Sequence, residues 1–130
     1  MSLIADKKTS EKLENRLNEF KNFGMTLYFL YEENRIKLSE LADIFFSPDD
    51  EKSCFAYSNM IRKIKTSDLE KSYEKYKDKY PSFSGEEYRD TLNNIYTKKI
   101  IKEILDTSCD NIDKIYINTY EYLLDSRYSK

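Results

Sequence analysis

The chain has 130 residues, with 22 lysines and arginines against 24 aspartates and glutamates, so its formal net charge is −2. This near-balance excludes a generic polyanion binder, which needs a strong basic excess, and it also excludes an acidic mimic of DNA. The apolar fraction of 39% and the aromatic fraction of 15% are too high for a disordered chain. Because the length suits one hydrophobic core, we expect a single folded domain.

The cysteine content indicates a reducing compartment. Cys54 and Cys109 are too few to form a disulfide framework in a chain of this length. The N-terminal segment lacks the apolar core of a secretory signal, and no stretch reaches the roughly 18 apolar residues of a transmembrane helix. We therefore expect a cytoplasmic protein without membrane association and with both thiols free. Cys54 is expected to fill the core, and Cys109 is expected to lie in a helix junction.

Apolar residues at alternating spacings of four and three begin at Leu13 and predict one long first helix. Thr9 or Ser10 is expected to cap the start of this helix, which is expected to end near Glu33. Gly24 lies on the apolar face, where the missing side chain favours close approach of another helix over a bend.

Two shorter helices are predicted next. The amphipathic sequence Leu38–Phe45 indicates a second helix. Ser47 then provides a cap, Pro48 a first helical residue, and three acidic residues follow at the positive end of the helix dipole. A third helix is therefore expected from Pro48 to Lys65.

Capping boxes predict where the next two helices begin. Ser67 with Glu70 marks either the start of a fourth helix or a bend in the third. The segment Leu69–Tyr80 has a mostly tyrosine inner face, and it is expected to pack at the periphery or to cover another surface. Ser84 with Glu87 opens a fifth helix, which carries the longest apolar series in the chain. Asp110 is expected to cap the last helix, and its inward residues are expected to be Ile112, Ile115, Tyr116, Thr119, Tyr120 and Leu123.

These elements predict an all-α, single-domain bundle of five or six helices. The helical domain is expected to span residues 10–127. Residues 1–9 are expected to form a flexible N-terminus and residues 128–130 a frayed C-terminus.

Residues for catalysis and metal binding are scarce. The chain has no histidine, so the usual general base near neutral pH is missing. The position of Cys109 before a predicted helix is the only feature that favours a thiolate nucleophile. Asp106 and Asp110 have the spacing of a calcium loop, but Asn111 stands where that loop needs glycine. We expect no enzymatic activity, no metal or cofactor, and no small-molecule substrate.

One segment has the order of elements of a DNA-binding motif. The hydrophobic run Leu27–Tyr31 is followed by the basic turn Arg35–Lys37 and by the short amphipathic sequence Leu38–Ala42. This arrangement resembles the opening of a winged-helix or helix-turn-helix domain. The resemblance implies that Leu38–Phe45 is the second helix of the motif and that a recognition helix lies near Tyr57–Lys65.

The resemblance also implies which residues would contact DNA. Arginine and asparagine read base edges, whereas lysine and serine hold phosphates. The acidic sequence Pro48–Glu51 would repel phosphates, so this interpretation requires that residues 48–53 form an insertion. The DNA-binding candidates are Ser58, Asn59, Arg62, Lys63 and Lys65.

The 12 tyrosines are the other unusual feature of the composition. A small, highly charged domain needs amphipathic residues where its core meets water, and tyrosine is also enriched at protein interfaces. We take Tyr73, Tyr76 and Tyr122 as candidates for contact with a partner. The sequence is most typical of a small non-enzymatic regulatory, adaptor or inhibitory protein that binds another protein, with a homodimer as a further option. A DNA-binding transcriptional regulator is the alternative.

Overall fold

The computed structural model describes residues 6–80, 87–107 and 114–128. Within these ranges all regular structure is helical and no strand occurs. The helices are α1 (Lys7–Glu19), α2 (Gly24–Glu32), α3 (Leu38–Phe46), α4 (Asp50–Arg62), α5 (Thr66–Tyr76), α6 (Glu87–Thr107) and α7 (Lys114–Tyr128), with one turn of 3-10 helix at Lys77–Lys79. The all-α prediction is confirmed for these ranges, where seven α-helices replace the predicted five or six.

The additional helix arises because the predicted first helix is broken between Phe20 and Phe23. At the break, the Lys21 and Phe23 amides donate to carbonyls three residues earlier instead of four. Phe20 is fully buried, and its ring centroid lies 4.6 Å from that of Phe45. The prediction of one continuous helix is therefore wrong, because the tight turn buries Phe20 and redirects the chain into α2.

Gly24 begins α2 and brings that helix very close to α6. A β-carbon on Gly24 would lie 2.1 Å from the Thr97 hydroxyl oxygen and 2.3 Å from the Asn93 carbonyl oxygen. The Met25 amide donates to the Asn93 side chain at 3.0 Å. The predicted close approach is confirmed, although it occurs at a helix start and not in mid-helix.

The start of α1 is set by an aspartate. The Asp6 carboxylate accepts a hydrogen bond from the Thr9 amide at 2.8 Å, so the helix begins at Lys7. The prediction of a Thr9 or Ser10 cap is wrong, because the Asp6 side chain satisfies the free amides of the first turn instead. Residues 7–9, expected to be flexible, are helical.

Aspartates also set the starts of α4 and α5. Asp49 accepts from the Glu51 amide at 2.9 Å and replaces the predicted Ser47 cap. Asp68 accepts from the Lys65 amide at 2.9 Å, so α5 begins at Thr66, before the predicted capping box at Ser67. Carboxylates near helix starts are stabilised by the helix dipole in addition to the hydrogen bond.

The core is centred on α6, which contacts α2, α3 and α7. Helix α2 also contacts α5, and α3 contacts α1 and α4. The predicted fourth helix covers another surface, the second of its two expected positions, since α5 packs on α2 and buries Ser72 and Tyr76. The largest fully buried side chains are Tyr76, Tyr96, Tyr120, Phe20, Phe45, Leu13, Leu17, Leu27, Leu30, Leu41, Ile44 and Met60.

The last helix faces the core partly as expected. Tyr116, Thr119 and Tyr120 are buried, whereas Ile115 is 47% exposed and was wrongly predicted to point inward. Leu124 is buried and Leu123 is half-buried. The helix extends to Tyr128, the first residue of the predicted frayed end. The predicted cap at Ser84, the predicted cap at residues 110–113 and the inward position of residue 112 lie outside the described residues, whereas Glu87 is the first described residue of α6.

Candidate functional site

Tyr76, one of the three predicted partner-contact tyrosines, lies in the core. Its exposed fraction is 1%, and its ring centroid is 4.3 Å from that of Tyr96. Its hydroxyl donates to the Glu32 carboxylate. Burial and this carboxylate raise the pKa of Tyr76 far above its usual value. Its assignment to a partner surface was wrong, because α5 packs this face against α2 and α6.

The other two candidate tyrosines lie on separate helices. Tyr73 of α5 is half-buried, with its ring edge-on to Tyr88 and the Arg89 guanidinium 4.1 Å from its centroid. Tyr122 of α7 is 54% exposed. Among the described residues, the rings of Tyr73 and Tyr122 make no contact with each other. The structure therefore does not assemble the predicted tyrosine surface.

The DNA-binding candidates are divided between two elements. Ser58, Arg62 and Lys63 are exposed on α4 or at its C-cap, and Asn59 is half-buried. The Lys63 ammonium lies 2.5 Å from the Glu40 carboxylate of α3. Lys65 is the N-cap of α5, so it lies beyond the end of the candidate recognition helix.

A short turn joins α3 to α4, as in a helix-turn-helix motif. The turn consists of Ser47–Asp49, and α4 begins at Asp50. The insertion at residues 48–53 that the DNA-binding interpretation requires does not occur, because residues 50–53 form the first turn of α4. The acidic side chains of Asp49, Asp50 and Glu51 thus lie at the end of the helix that would enter a DNA groove.

An open cleft of about 780 Å³ lies between α1 and α4, with part of its base formed by α3. The two helices run in the same direction along it, since Arg16 contacts Asp50 and Glu19 contacts Tyr57 seven residues further along α4. The base includes Ile44 and the buried Ser53. The rim on α1 includes Lys8, Glu11, Lys12, Asn15 and Glu19, and the rim on α4 includes Asp50, Cys54, Tyr57 and Ser58.

Arg16 holds the base of the cleft together. Its guanidinium donates to the Phe45 carbonyl at 3.0 Å and to the Asp50 carboxylate at 3.0 Å. The Tyr120 hydroxyl donates to the same carbonyl at 2.6 Å, and Ser53 donates to the Ile44 carbonyl at 2.6 Å. These side chains satisfy carbonyls at the C-terminal end of α3, which lack partners within their own helix. A cation at this end also complements the helix dipole.

The charged groups of the cleft are balanced in number and partly paired. The three cations Lys8, Lys12 and Arg16 are matched in number by the three carboxylates Glu11, Glu19 and Asp50. The Lys12 ammonium lies 3.3 Å from the Asp50 carboxylate. Desolvation opposes the ionisation of Asp50, but Lys12 and Arg16 outweigh it and hold the pKa of this carboxyl below its usual value. The cleft is therefore a surface of mixed charge with no basic excess.

Tyr57 and Cys54 form the α4 side of the cleft. Burial raises the pKa of Tyr57 to about 12, and its hydroxyl donates to the Glu19 carbonyl at 3.2 Å. Cys54 is exposed and free, so its prediction as a core residue was wrong. The buried face of α4 carries Ser53 and Met60, and Cys54 lies to one side of it. The position predicted for Cys109 lies outside the described residues.

Phe55 of α4 is 67% exposed, and it was not among the residues predicted to contact a partner. A signal for this was present in the helical spacing. Phe55 precedes Tyr57 by two residues, which places it about 200° away around the helix and thus opposite the inward face. An exposed phenylalanine beside an open cleft makes α4 the candidate interaction helix of the described structure.

Among the described residues, no group of three or more histidine, cysteine, aspartate or glutamate side chains is placed to hold a metal ion. None of the described helices combines the length and hydropathy needed to cross a bilayer. Comparisons with protein-family models, curated proteins and solved structures found no match for this chain.

Proposed function

We propose that the chain is a small non-enzymatic regulatory, adaptor or inhibitory protein whose α1–α4 cleft binds a segment of another protein. The observation that carries this proposal is the open cleft of about 780 Å³, with Ile44 at its base and Tyr57 on its wall. Concave surfaces that combine apolar side chains with a few polar groups are preferred binding sites. A cytoplasmic location forms part of the proposal and rests on the cysteine content.

The charges of the cleft favour a protein segment over a nucleic acid as its occupant. Polyanion binding requires a surplus of basic side chains, because affinity for phosphates rests on neutralising their charge. The cleft instead places Lys8 and Lys12 beside Glu11 and Asp50. A partner segment that carries an apolar anchor and charges of both signs matches this rim.

Filling the cleft with a large charged side chain tests the proposal. Four chains are immobilised and incubated with extract from the native host. They are the wild type, Cys54→Arg, Asn15→Arg and the control Ser39→Arg. All three altered residues are exposed, and Ser39 lies on α3 and is not among the cleft-lining residues. We expect a protein that is retained by the wild type and the control but reduced at least tenfold on both cleft variants.

Direct binding of that captured protein, once purified, is then measured by calorimetry against the same four chains. Unchanged melting temperatures of the variants exclude unfolding as the cause of any loss. Equal binding to all four chains, or the absence of any retained protein, would contradict the proposal.

Sequence-specific DNA binding is the second candidate function. Two observations favour it: the three-residue turn Ser47–Asp49 between α3 and α4, and the exposure of Ser58 and Arg62 on α4. The acidic start of α4 at Asp50 and Glu51 opposes it, since carboxylates repel the phosphate backbone.

A double charge reversal tests this second candidate. If α4 contacts DNA, changing Arg62 and Lys63 to Glu abolishes duplex binding because favourable contacts become repulsive. Binding is measured by fluorescence anisotropy with duplex DNA at low and high salt. Under the protein-binding proposal the wild type shows no salt-sensitive duplex binding, so the double variant and the wild type give the same anisotropy. If the wild type binds duplex DNA tightly and sequence-selectively and the double variant does not, DNA binding becomes the first candidate function and protein binding the second.

A further inference from the structure

The outward face of α4 carries a regular stripe of four exposed residues. Glu51, Phe55, Ser58 and Arg62 follow one another at spacings of four, three and four, so they lie along one line of the helix. All four are exposed, and Phe55 is 67% exposed. We call this set the outer stripe of α4. Spacings of four and three are those of helix faces that pack against another helix.

The charges at the two ends of the outer stripe form no ion pair with any residue that the structure describes. Neither Glu51 nor Arg62 forms an ion pair within the described ranges 6–80, 87–107 and 114–128. Their neighbours Lys52 and Lys63 do form ion pairs, with α3 carboxylates at 3.9 Å and 2.5 Å. The outer stripe is therefore the part of α4 that neither α3 nor α1 uses.

We propose that the outer stripe is a self-complementary surface on which two copies of this chain form a weak, antiparallel dimer. A two-fold axis pairs residues whose numbers have a constant sum. Placing Glu51 of one copy against Arg62 of the second forms two equivalent ion pairs. The same register places Phe55 against Ser58 of the second copy, so a large side chain meets a small one. Both Phe55 rings are thereby covered.

The order of residues within the stripe favours a second copy over a different partner. Its acidic end, large apolar residue, small residue and basic end are complementary to the same sequence when that sequence is reversed. Helix α4 has 13 residues and a length of about 20 Å, so the shared area is below the roughly 1,200 Å² of stable interfaces. We therefore expect association that depends on concentration.

This inference goes beyond the proposed function, because the α1–α4 cleft opens on a different side of α4. Only Ser58 belongs to both surfaces. The variants that test the dimer leave Cys54 and Asn15 unchanged. A result that contradicts the dimer therefore does not contradict the cleft proposal, and a result that contradicts the cleft proposal does not contradict the dimer.

Charge exchange tests the dimer by sedimentation equilibrium from about 10 µM to 1 mM, which spans dissociation constants worth roughly 4 to 7 kcal/mol of binding free energy. The wild-type mass is expected to rise from 15.6 kDa toward twice that value. Glu51→Arg and Arg62→Glu are each expected to weaken dimerisation at least tenfold, since each brings like charges together. The double variant Glu51→Arg/Arg62→Glu is expected to recover dimerisation to within about threefold of the wild type.

Mixing provides the decisive measurement. A copy with Glu51→Arg and a copy with Arg62→Glu present only opposite charges to each other in the antiparallel register. We expect the mixture to dimerise at least tenfold more tightly than either variant alone. Phe55→Ala is expected to weaken association at least tenfold. Asp106→Arg and Lys102→Glu make the same charge changes at exposed sites on α6 and are expected to have no effect.

A wild-type chain that stays monomeric at 1 mM would overturn the inference. Dimerisation that survives both single charge reversals, or a mixture that fails to associate, would also overturn it. Thermal melting of each variant separates loss of the interface from loss of the fold.

Discussion

Gly24 begins α2 where this helix packs against α6. A β-carbon there would lie 2.3 Å from the Asn93 carbonyl oxygen, which belongs to the backbone and cannot rotate away. We expect Gly24→Ala to lower the free energy of unfolding by about 2–3 kcal/mol, because the two helices must move apart. Urea denaturation measures this change. The control Ser39→Ala, at an exposed position, is expected to stay within about 0.5 kcal/mol of the wild type. A Gly24→Ala variant as stable as the wild type would show that α2 and α6 pack more loosely.

The surroundings of the Asp68 carboxylate determine its pKa. Its carboxylate is 1% exposed and accepts two hydrogen bonds from the Arg35 guanidinium, at 2.8 Å and 2.9 Å. These bonds outweigh the opposing effect of burial and hold the pKa of Asp68 below its usual value. Asp68 therefore stabilises the fold above the pKa of the unfolded chain, which is about 4, and this contribution is lost as pH falls through the lower native pKa.

Replacement of this carboxylate tests its part in acid sensitivity. We expect Asp68→Asn to be less stable than the wild type at pH 7, and the difference to narrow as the pH falls below about 4. Urea denaturation across this pH range measures both curves. The control Asp106→Asn, at an exposed position, is expected to follow the wild-type curve. A stability difference between Asp68→Asn and the wild type that stays constant with pH would contradict this explanation.

Helix α6 contacts α2, α3 and α7 and contributes fully buried isoleucines to the core. Ile104 on α6 is fully buried, whereas Ile115 on α7 is 47% exposed. We expect Ile104→Ala to lower the free energy of unfolding by about 2–4 kcal/mol, through lost burial and the cavity left behind. The matched substitution Ile115→Ala is expected to change it by less than about 0.5 kcal/mol. Equal losses in chemical denaturation would mean that α7 turns a different face to the core.

For the whole molecule, the expectation that both thiols are free predicts how stability responds to reductant. Cys54 is free and exposed. Because no disulfide is expected to constrain the unfolded chain, we expect the same melting temperature with and without reductant. Circular dichroism measures both transitions. A melting temperature that falls by several degrees on reduction would contradict both the free thiols and the reducing compartment.

Local sequence determined most helices because their signals act over a few residues. The predicted second helix differs from α3 by one residue, and the predicted end of the first helix differs from the end of α2 by one residue. The α2 terminus contains Asn34 with φ at 60°, and asparagine adopts this left-handed conformation more readily than most residues. The balanced charge and the missing histidine also followed from composition alone.

Tertiary structure alone decided which residues lie together, because burial depends on neighbours that are distant in the chain. Phe20 interrupts a helical pattern that continues through it, since packing against Phe45 buries it there. Tyr76 and Tyr122 are the same residue type, yet contacts with other helices bury only the first. The cleft requires the bond between Arg16 and Asp50, which are 34 residues apart. Helical periodicity describes the faces of one helix, but it carries no information about which other helix covers each face.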